Sequence, residues 1–166
     1  MAKEQFNWEL FTRRIVIHKN IEDVFSLIAT SEGLKKWFLH EAVFYTMVNE
    51  TKVVNFTFPT ENELYYWKWK GKDFELNGHV IKCETNTCFS FTFGSAGTVK
   101  IELEIIEEST LLLLTQQVNH GEIYDKMRQA NSFAYWTFFL LNLKSVAEHG
   151  IDLREDKFQF PNLLNI

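Results

Sequence analysis

The chain has 166 residues, room for one domain with a sizeable core, and a net charge of −5. That acidic balance excludes a nucleic-acid partner, which would need a basic surface against phosphates. Hydrophobic residues make up 46% and charged residues 23%, as in an ordinary soluble protein, but 16 Phe, 5 Trp and 5 Tyr mean that rings line the core or a cavity.

Leu10 to Ile17 reads as a strand. Asn20 then offers a helix N-cap, with Glu22 and Asp23 in the first turn, where the helix dipole favours anions. Ile21, Val24, Phe25 and Ile28 follow on one helical face. Ser31 is expected to cap a second short helix whose Leu34, Trp37 and Phe38 share a face. The Thr30-Ser31 junction and Gly33 leave little room between the two helices, so they should meet at an angle.

From Glu41 to Val118 the period changes to two, which reads as antiparallel hairpins in succession, a meander. The expected strands begin with Ala42 to Val48 and Val53 to Phe58, the second closed by Pro59. Tyr65, Trp67 and Trp69 then alternate with Tyr66, Lys68 and Lys70, and Phe89, Phe91 and Phe93 alternate with Ser90 and Thr92. Gly94 to Gly97 makes a turn. Val99, Ile101, Leu103 and Ile105 point inward while Lys100, Glu102 and Glu104 form a solvated face, joined by Glu107 and Glu108 in a turn. Leu111 to Val118 is the last strand.

A long helix, Tyr124 to His149, closes the chain. Its stretch SFAYWTFFLLNL, nine of twelve residues apolar or aromatic, is too short for a membrane span, which needs roughly 20 apolar residues. No membrane insertion is expected. At 100° per residue Phe133, Tyr135, Trp136, Phe139, Leu140, Leu143, Val146 and Ala147 fill one wide arc, which must lie on the concave face of the sheet. Gly150 ends the helix at a C′ position. The N-terminus MAKEQFNWELFTRR lacks the apolar segment of a signal peptide, so a cytoplasmic protein is expected. There Cys83 and Cys88 stay reduced and flank a hairpin turn.

Four groups of residues, in this order, resemble one family. They are Asp23-Val24-Phe25 with Ser31-Glu32-Gly33-Leu34-Lys35-Lys36-Trp37-Phe38, then Gly78-His79-Val80, then Ser109 to Leu114. The last is Trp136, Leu143, Lys144, Glu148-His149-Gly150 and Asp152-Leu153-Arg154. The pattern is similar to the START-like and birch-allergen-like (SRPBCC) superfamily, in the branch of the C-terminal domain of the activator of Hsp90 ATPase. The resemblance spans about residues 10 to 154 and implies an α+β helix-grip fold: a curved antiparallel sheet around a long C-terminal helix, with two short helices after the first strand. The aromatic strand from Tyr65 to Trp69 and the tail after Arg154 depart from the family.

In that superfamily the grip encloses an apolar cavity, and its members bind lipids or other hydrophobic compounds, act as cyclases or dehydratases, or serve as co-chaperones. Fold alone does not choose among these. Carried onto this chain, the cavity would be lined by Trp37, Trp67, Trp69, His79, Phe89, Phe91, Phe93, Gln116, Phe133, Trp136 and Leu140. The expected partner is a hydrophobic small molecule or lipid, with a chaperone contact or a reaction in the same cavity as alternatives. A buried polar group at the bottom would favour an enzyme, an apolar wall a binder, and a filled core with an exposed apolar surface an interaction module.

Neither a cofactor motif nor a metal-ligand set is present, so none is expected. No catalytic residue is assigned. His18, His120 and His149 fall at element ends and read as solvated. His79 lies within a strand: facing inward with Ile81 and Cys83 it would be a base or a polar contact, and facing outward it is an ordinary surface histidine. Gln116 and Tyr66 are weaker polar candidates. Phe138 and Leu141 project from the helix face opposite the arc, an apolar ridge that needs a cover. Either the tail with Phe158, Phe160, Leu163, Leu164 and Ile166 folds back over it, or it forms a homodimer contact.

Overall fold

The structure, a computed structural model, describes residues 10–71, 74–118, 125–158, 160 and 163–165, with the side chains of 125–130 left aside. His120, Tyr124, Gln159, Pro161, Asn162 and Ile166 therefore lie outside the described residues. In chain order the elements are β1 (Leu10–Ile17), α1 (Ile21–Ala29), α2 (Ser31–Trp37), β2 (Glu41–Val48), β3 (Thr51–Asn55), β4 (Leu64–Lys68), β5 (Glu75–Glu84), β6 (Cys88–Thr92), β7 (Thr98–Ile106), β8 (Ser109–Gln117) and α3 (Asp125–His149). They build the expected α+β helix-grip architecture, one curved antiparallel sheet with a long C-terminal helix.

The eight strands run in the order β1-β8-β7-β6-β5-β4-β2-β3. This corrects the simple meander, because β4 pairs with β2 and leaves β3 on the edge. The cause lies in the side chains. Tyr65 and Trp67 of β4 are fully buried and need a place over the core, whereas four of the five β3 residues are exposed. The strand expected over Val53 to Phe58 starts earlier and stops at Asn55. There the Asn55 side chain accepts from the Thr57 N–H at 2.8 Å and donates to buried Glu63 at 3.0 Å, holding the chain in a loop.

Asn20 caps α1, accepting from the Asp23 N–H at 2.8 Å. The cap of α2 is Thr30, which accepts from the Gly33 N–H at 2.9 Å, rather than Ser31, which is already helical. A Cβ at Gly33 would sit 2.1 Å from the Ser26 carbonyl oxygen, so glycine permits the close, angled approach of α1 and α2. On α3 the expected arc is the buried face: Trp136, Phe139, Leu140 and Leu143 are buried, with Phe133, Tyr135, Val146 and Ala147 packed beside them. Gly150 (φ +69°) ends the helix, its N–H bonded to the Val146 carbonyl at 2.9 Å. Ile105 is 64% exposed, because the end of β7 runs past the core.

Candidate functional site

The space between sheet and α3 is occupied by rings. Phe38, at the C-cap of α2, stacks on Trp37 at 5.0 Å and on Trp136 at 5.2 Å. It also meets Trp67, Trp69 and Phe139 edge-on at 6.0, 5.5 and 5.0 Å. Such edge-to-face contacts are favourable for aromatic quadrupoles and pack without gaps. Behind this hub Tyr65 stacks on Trp67 at 3.9 Å, and Phe91 meets Trp67 at 4.8 Å. Phe38, which sequence reasoning placed only on a helix face, thus fills the middle of the grip. Its signal was the Trp37-Phe38 pair at the end of an apolar helix face.

Strand alternation aims these side chains. Tyr65, Trp67 and Trp69, and likewise Phe89 and Phe91, face inward. Gly78 lies opposite Tyr65 in the sheet, and a Cβ there would meet the Tyr65 hydroxyl at 2.4 Å, so the glycine makes room for the ring. The Tyr65 hydroxyl donates to the Thr92 carbonyl, and burial pushes its pKa well up, partly offset by the Thr92 side chain.

What stays open is a cleft of about 340 Å³ at the N-terminal half of α3, lined by Trp69, Phe74, Phe93, Asn131, Ser132 and Tyr135. Of the eleven residues expected to line a cavity, the structure brings Trp69 and Phe93 to it. Trp136 lies behind Phe93 at 5.6 Å, and Trp37, Trp67, Phe89, Phe91 and Leu140 are core. Phe133 turns instead toward β1, against Phe11 at 5.9 Å and under the Arg13 guanidinium. Gln116 is fully buried but committed, accepting from the Trp136 indole N–H and donating to the Ala96 carbonyl, both at 2.8 Å.

His79 does not line the cleft. Its neighbour Val80 is fully buried, so period two turns His79 to the outer face, where it is exposed. Tyr66 also faces outward and donates to Glu75 at 2.7 Å, a hydrogen bond that pushes its pKa up to about 12. The Phe74 and Tyr135 walls were not foreseen as lining: Phe74 falls in the loop after the aromatic strand, where period two no longer applies.

Two buried donors in this region are poorly satisfied. The indole N–H of Trp67 makes no hydrogen bond, and that of Trp69 approaches the Tyr135 hydroxyl without forming a well-aligned one. Buried unpaired donors are uncommon and cost about 1–3 kcal/mol each. Burial holds the Tyr135 hydroxyl well above its ordinary pKa, an effect partly offset by the Trp69 N–H directed at its oxygen, so Tyr135 stays protonated. The cleft therefore combines apolar walls with the polar side chains of Asn131, Ser132 and Tyr135, while the Trp69 N–H is sealed behind its wall.

A second cleft, about 450 Å³, lies at the other end of α3 among Lys19, Asp23, Ser26, Leu27, Lys36, Val146, Ala147, Gly150 and Asp152. Its rim is charged with both signs. On the opposite face of α3, Phe138 is half-buried against Phe139 at 5.1 Å, so the exposed ridge reduces to Leu141, 52% exposed. In the tail, Asn165 reaches back to the Leu153 carbonyl at 2.8 Å while Phe158 and Phe160 stack on each other at 6.1 Å. No described helix is long and apolar enough to cross a membrane.

Residues 19–148 match the model of the family described as Activator of Hsp90 ATPase homolog 1-like protein. Among solved structures, a protein of Staphylococcus saprophyticus (SSP2350) is similar at 20% identity and a TM-score of 0.69, covering 87% of this chain and 96% of its own. The Aha1 dimer from Colwellia psychrerythraea, a solution structure, is similar at 22% identity and a TM-score of 0.63, with 85% and 97% covered. DynU16, encoded in the dynemicin biosynthetic locus, is similar at 16% identity and a TM-score of 0.68, over 89% of this chain and 50% of its own. Among curated proteins none matches. At these identities the neighbours share the fold.

Proposed function

We propose that this chain, which belongs to the Activator of Hsp90 ATPase homolog 1-like family, binds a small, ring-bearing hydrophobic molecule with at least one hydrogen-bond acceptor. The observation that carries this reading is the cleft beside α3, where the rings of Trp69, Phe74, Phe93 and Tyr135 form apolar walls next to the polar side chains of Asn131 and Ser132. An acceptor on the ligand would bond to the Asn131 amide or the Ser132 hydroxyl, and rings would stack on Trp69, Phe74 and Phe93. A volume of about 340 Å³ lies at the small end of ligand pockets, which favours a compact molecule over a long acyl chain.

Binding is favoured over catalysis by the titratable chemistry at hand. Tyr135 is the ionisable side chain among the cleft's described lining, and burial keeps it protonated. It donates; it does not serve as a base.

The test is a fluorescence titration with fused-ring phenols and quinones alongside fatty acids, together with mass spectrometry of small molecules extracted from the native protein. A saturable change with ring compounds is expected, weakened about tenfold in Trp69→Ala, the loss of an aromatic wall worth about 1–1.5 kcal/mol. No saturable change across the panel, with empty extracts, overturns the reading. A preference for fatty acids overturns the ring-bearing class.

A further inference from the structure

The β2–β3 hairpin is the least covered part of the sheet. Met47, Val48, Val53 and Val54 are 51, 53, 48 and 38% exposed, and Phe56 just beyond β3 is 88% exposed. The turn between the strands has two residues, Asn49 and Glu50, both with positive φ (48° and 63°), the signature of a type I′ turn. Such a turn closes on a hydrogen-bonded pair, here Val48 with Thr51. Alternation then makes Thr46–Val53 and Phe44–Asn55 the other hydrogen-bonded pairs. Among the described residues no strand pairs with the other side of β3, so the backbone N–H and C=O of Lys52 and Val54 point off its edge.

We infer that this edge is a homodimer contact, in which β3 pairs antiparallel with β3 of a second copy about a two-fold axis at Val53. The free donors and acceptors call for a strand, since no side chain supplies both in register. The usual protections of an edge are weak here: β3 contains no proline, and its one charge, Lys52, lies over the Tyr45 ring at 4.2 Å. The strand is also self-complementary. Centred on Val53, Lys52 and Val54 of one copy face Val54 and Lys52 of the other, which uses every outward backbone group within β3. Thr51 then faces Asn55, and Val53 meets its own copy. Centring on Lys52 would oppose two like charges, and centring on Val54 would draw on Phe56, which lies outside the strand. Met47, Val48 and Phe56 add apolar area beside the seam.

This pairing does not involve the cleft beside α3. It is also distinct from a contact through the α3 ridge, where Leu141 alone stays exposed.

Sedimentation of the intact chain over a wide concentration range tests the inference, with two variants. Val54→Pro removes one outward N–H and leaves the β2 ladder whole; it should weaken dimerisation at least tenfold with the circular dichroism unchanged. Val53→Cys should crosslink to its own copy under a mild added oxidant such as diamide, because residues facing at a non-hydrogen-bonded antiparallel pair sit at disulfide distance. Lys52→Cys should not crosslink, and wild type controls for Cys83 and Cys88. A wild-type monomer at millimolar concentration overturns the inference. So does an undiminished dimer in Val54→Pro, or crosslinking at Lys52→Cys in place of Val53→Cys. Dissociation by Leu141→Glu but not by Val54→Pro would move the contact to α3, against the proposal. Should Val54→Pro fail to fold, the crosslinking pair decides.

Discussion

The indole N–H of Trp136 donates to the Gln116 amide oxygen at 2.8 Å, inside a core where both residues are fully buried. This single bond joins the middle of α3 to β8, and Gln116 passes the connection on to the Ala96 carbonyl beyond the end of β6. Sheet, turn and helix are thereby held in one register at the depth of the grip.

Gln116→Leu should therefore cost more than its loss of polarity suggests. The substitution leaves the Trp136 N–H and the Ala96 carbonyl without their partner in a dry interior. A buried unpaired group costs about 1–3 kcal/mol, so a loss of about 2–4 kcal/mol is expected. Urea denaturation followed by Trp fluorescence measures it. A change below about 0.5 kcal/mol would mean that the pair is not formed.

Gly33→Ala should be among the most damaging single-methyl changes in the chain. The added Cβ would stand 2.1 Å from the Ser26 oxygen and 2.6 Å from the Leu27 Cα, both backbone atoms that cannot rotate away. The helices α1 and α2 would have to separate, pulling Trp37 from its indole bond to the Leu27 carbonyl. A loss of about 2–4 kcal/mol, as for overpacking plus a broken buried hydrogen bond, is expected in thermal and urea melts. Soluble protein with a wild-type melting point would refute the close approach.

Much of this was legible in the sequence because period two and period 3.6 are strong signals wherever one face is buried. Tyr65 and Trp67, Phe89 and Phe91, and the arc from Phe133 to Ala147 were readable on that basis. The position of β4 was not, since pairing with β2 or with β3 depends on which neighbour lets two rings reach the core. Nor was the small size of the cleft: Phe38, Trp67 and Trp136 fill volume only through relative orientations that no periodicity encodes. His79 was ambiguous for a simpler reason. A histidine in a strand reads alike from either face until Val80 is known to be the buried neighbour.

Stability should fall in acid. Burial pushes the Glu148 carboxyl up, but hydrogen bonds from Lys144 and the His18 N–H more than offset it and hold its pKa below the ordinary value. Asp152 behaves alike: burial raises it, and Arg154 and Asn142 bring it lower. A carboxyl depressed on folding leaves the unfolded chain holding more protons as pH falls. Its contribution is present above the unfolded carboxylate range and is lost as pH drops through it toward the folded pKa. Melts between neutral pH and pH about 3 should show this loss, and Glu148→Gln with Asp152→Asn should flatten the curve. An unchanged slope in the double variant would remove both groups from the account.

Adjacent positions on α3 offer the sharpest contrast. Asn142 is fully buried, donates to the Trp37 carbonyl at 2.7 Å and to Asp152 at 3.0 Å, and accepts from the Leu153 N–H at 2.7 Å. It ties α3 at once to the end of α2 and to the strap beyond the helix, where Arg154 reaches the Lys35 and Leu39 carbonyls. Leu141, one residue earlier, is 52% exposed. Asn142→Leu keeps the volume but orphans the Trp37 carbonyl and the Leu153 amide and takes one donor from Asp152, which Arg154 still holds, so a loss of about 2–4 kcal/mol is expected, as when a buried network is broken. Leu141→Glu should stay within about 0.5 kcal/mol, the ordinary range for a surface position. Parallel urea titrations of the two variants check both. Comparable losses would mean that the helix is rotated about its axis from the orientation described, carrying the Asn142 network and the aromatic arc with it.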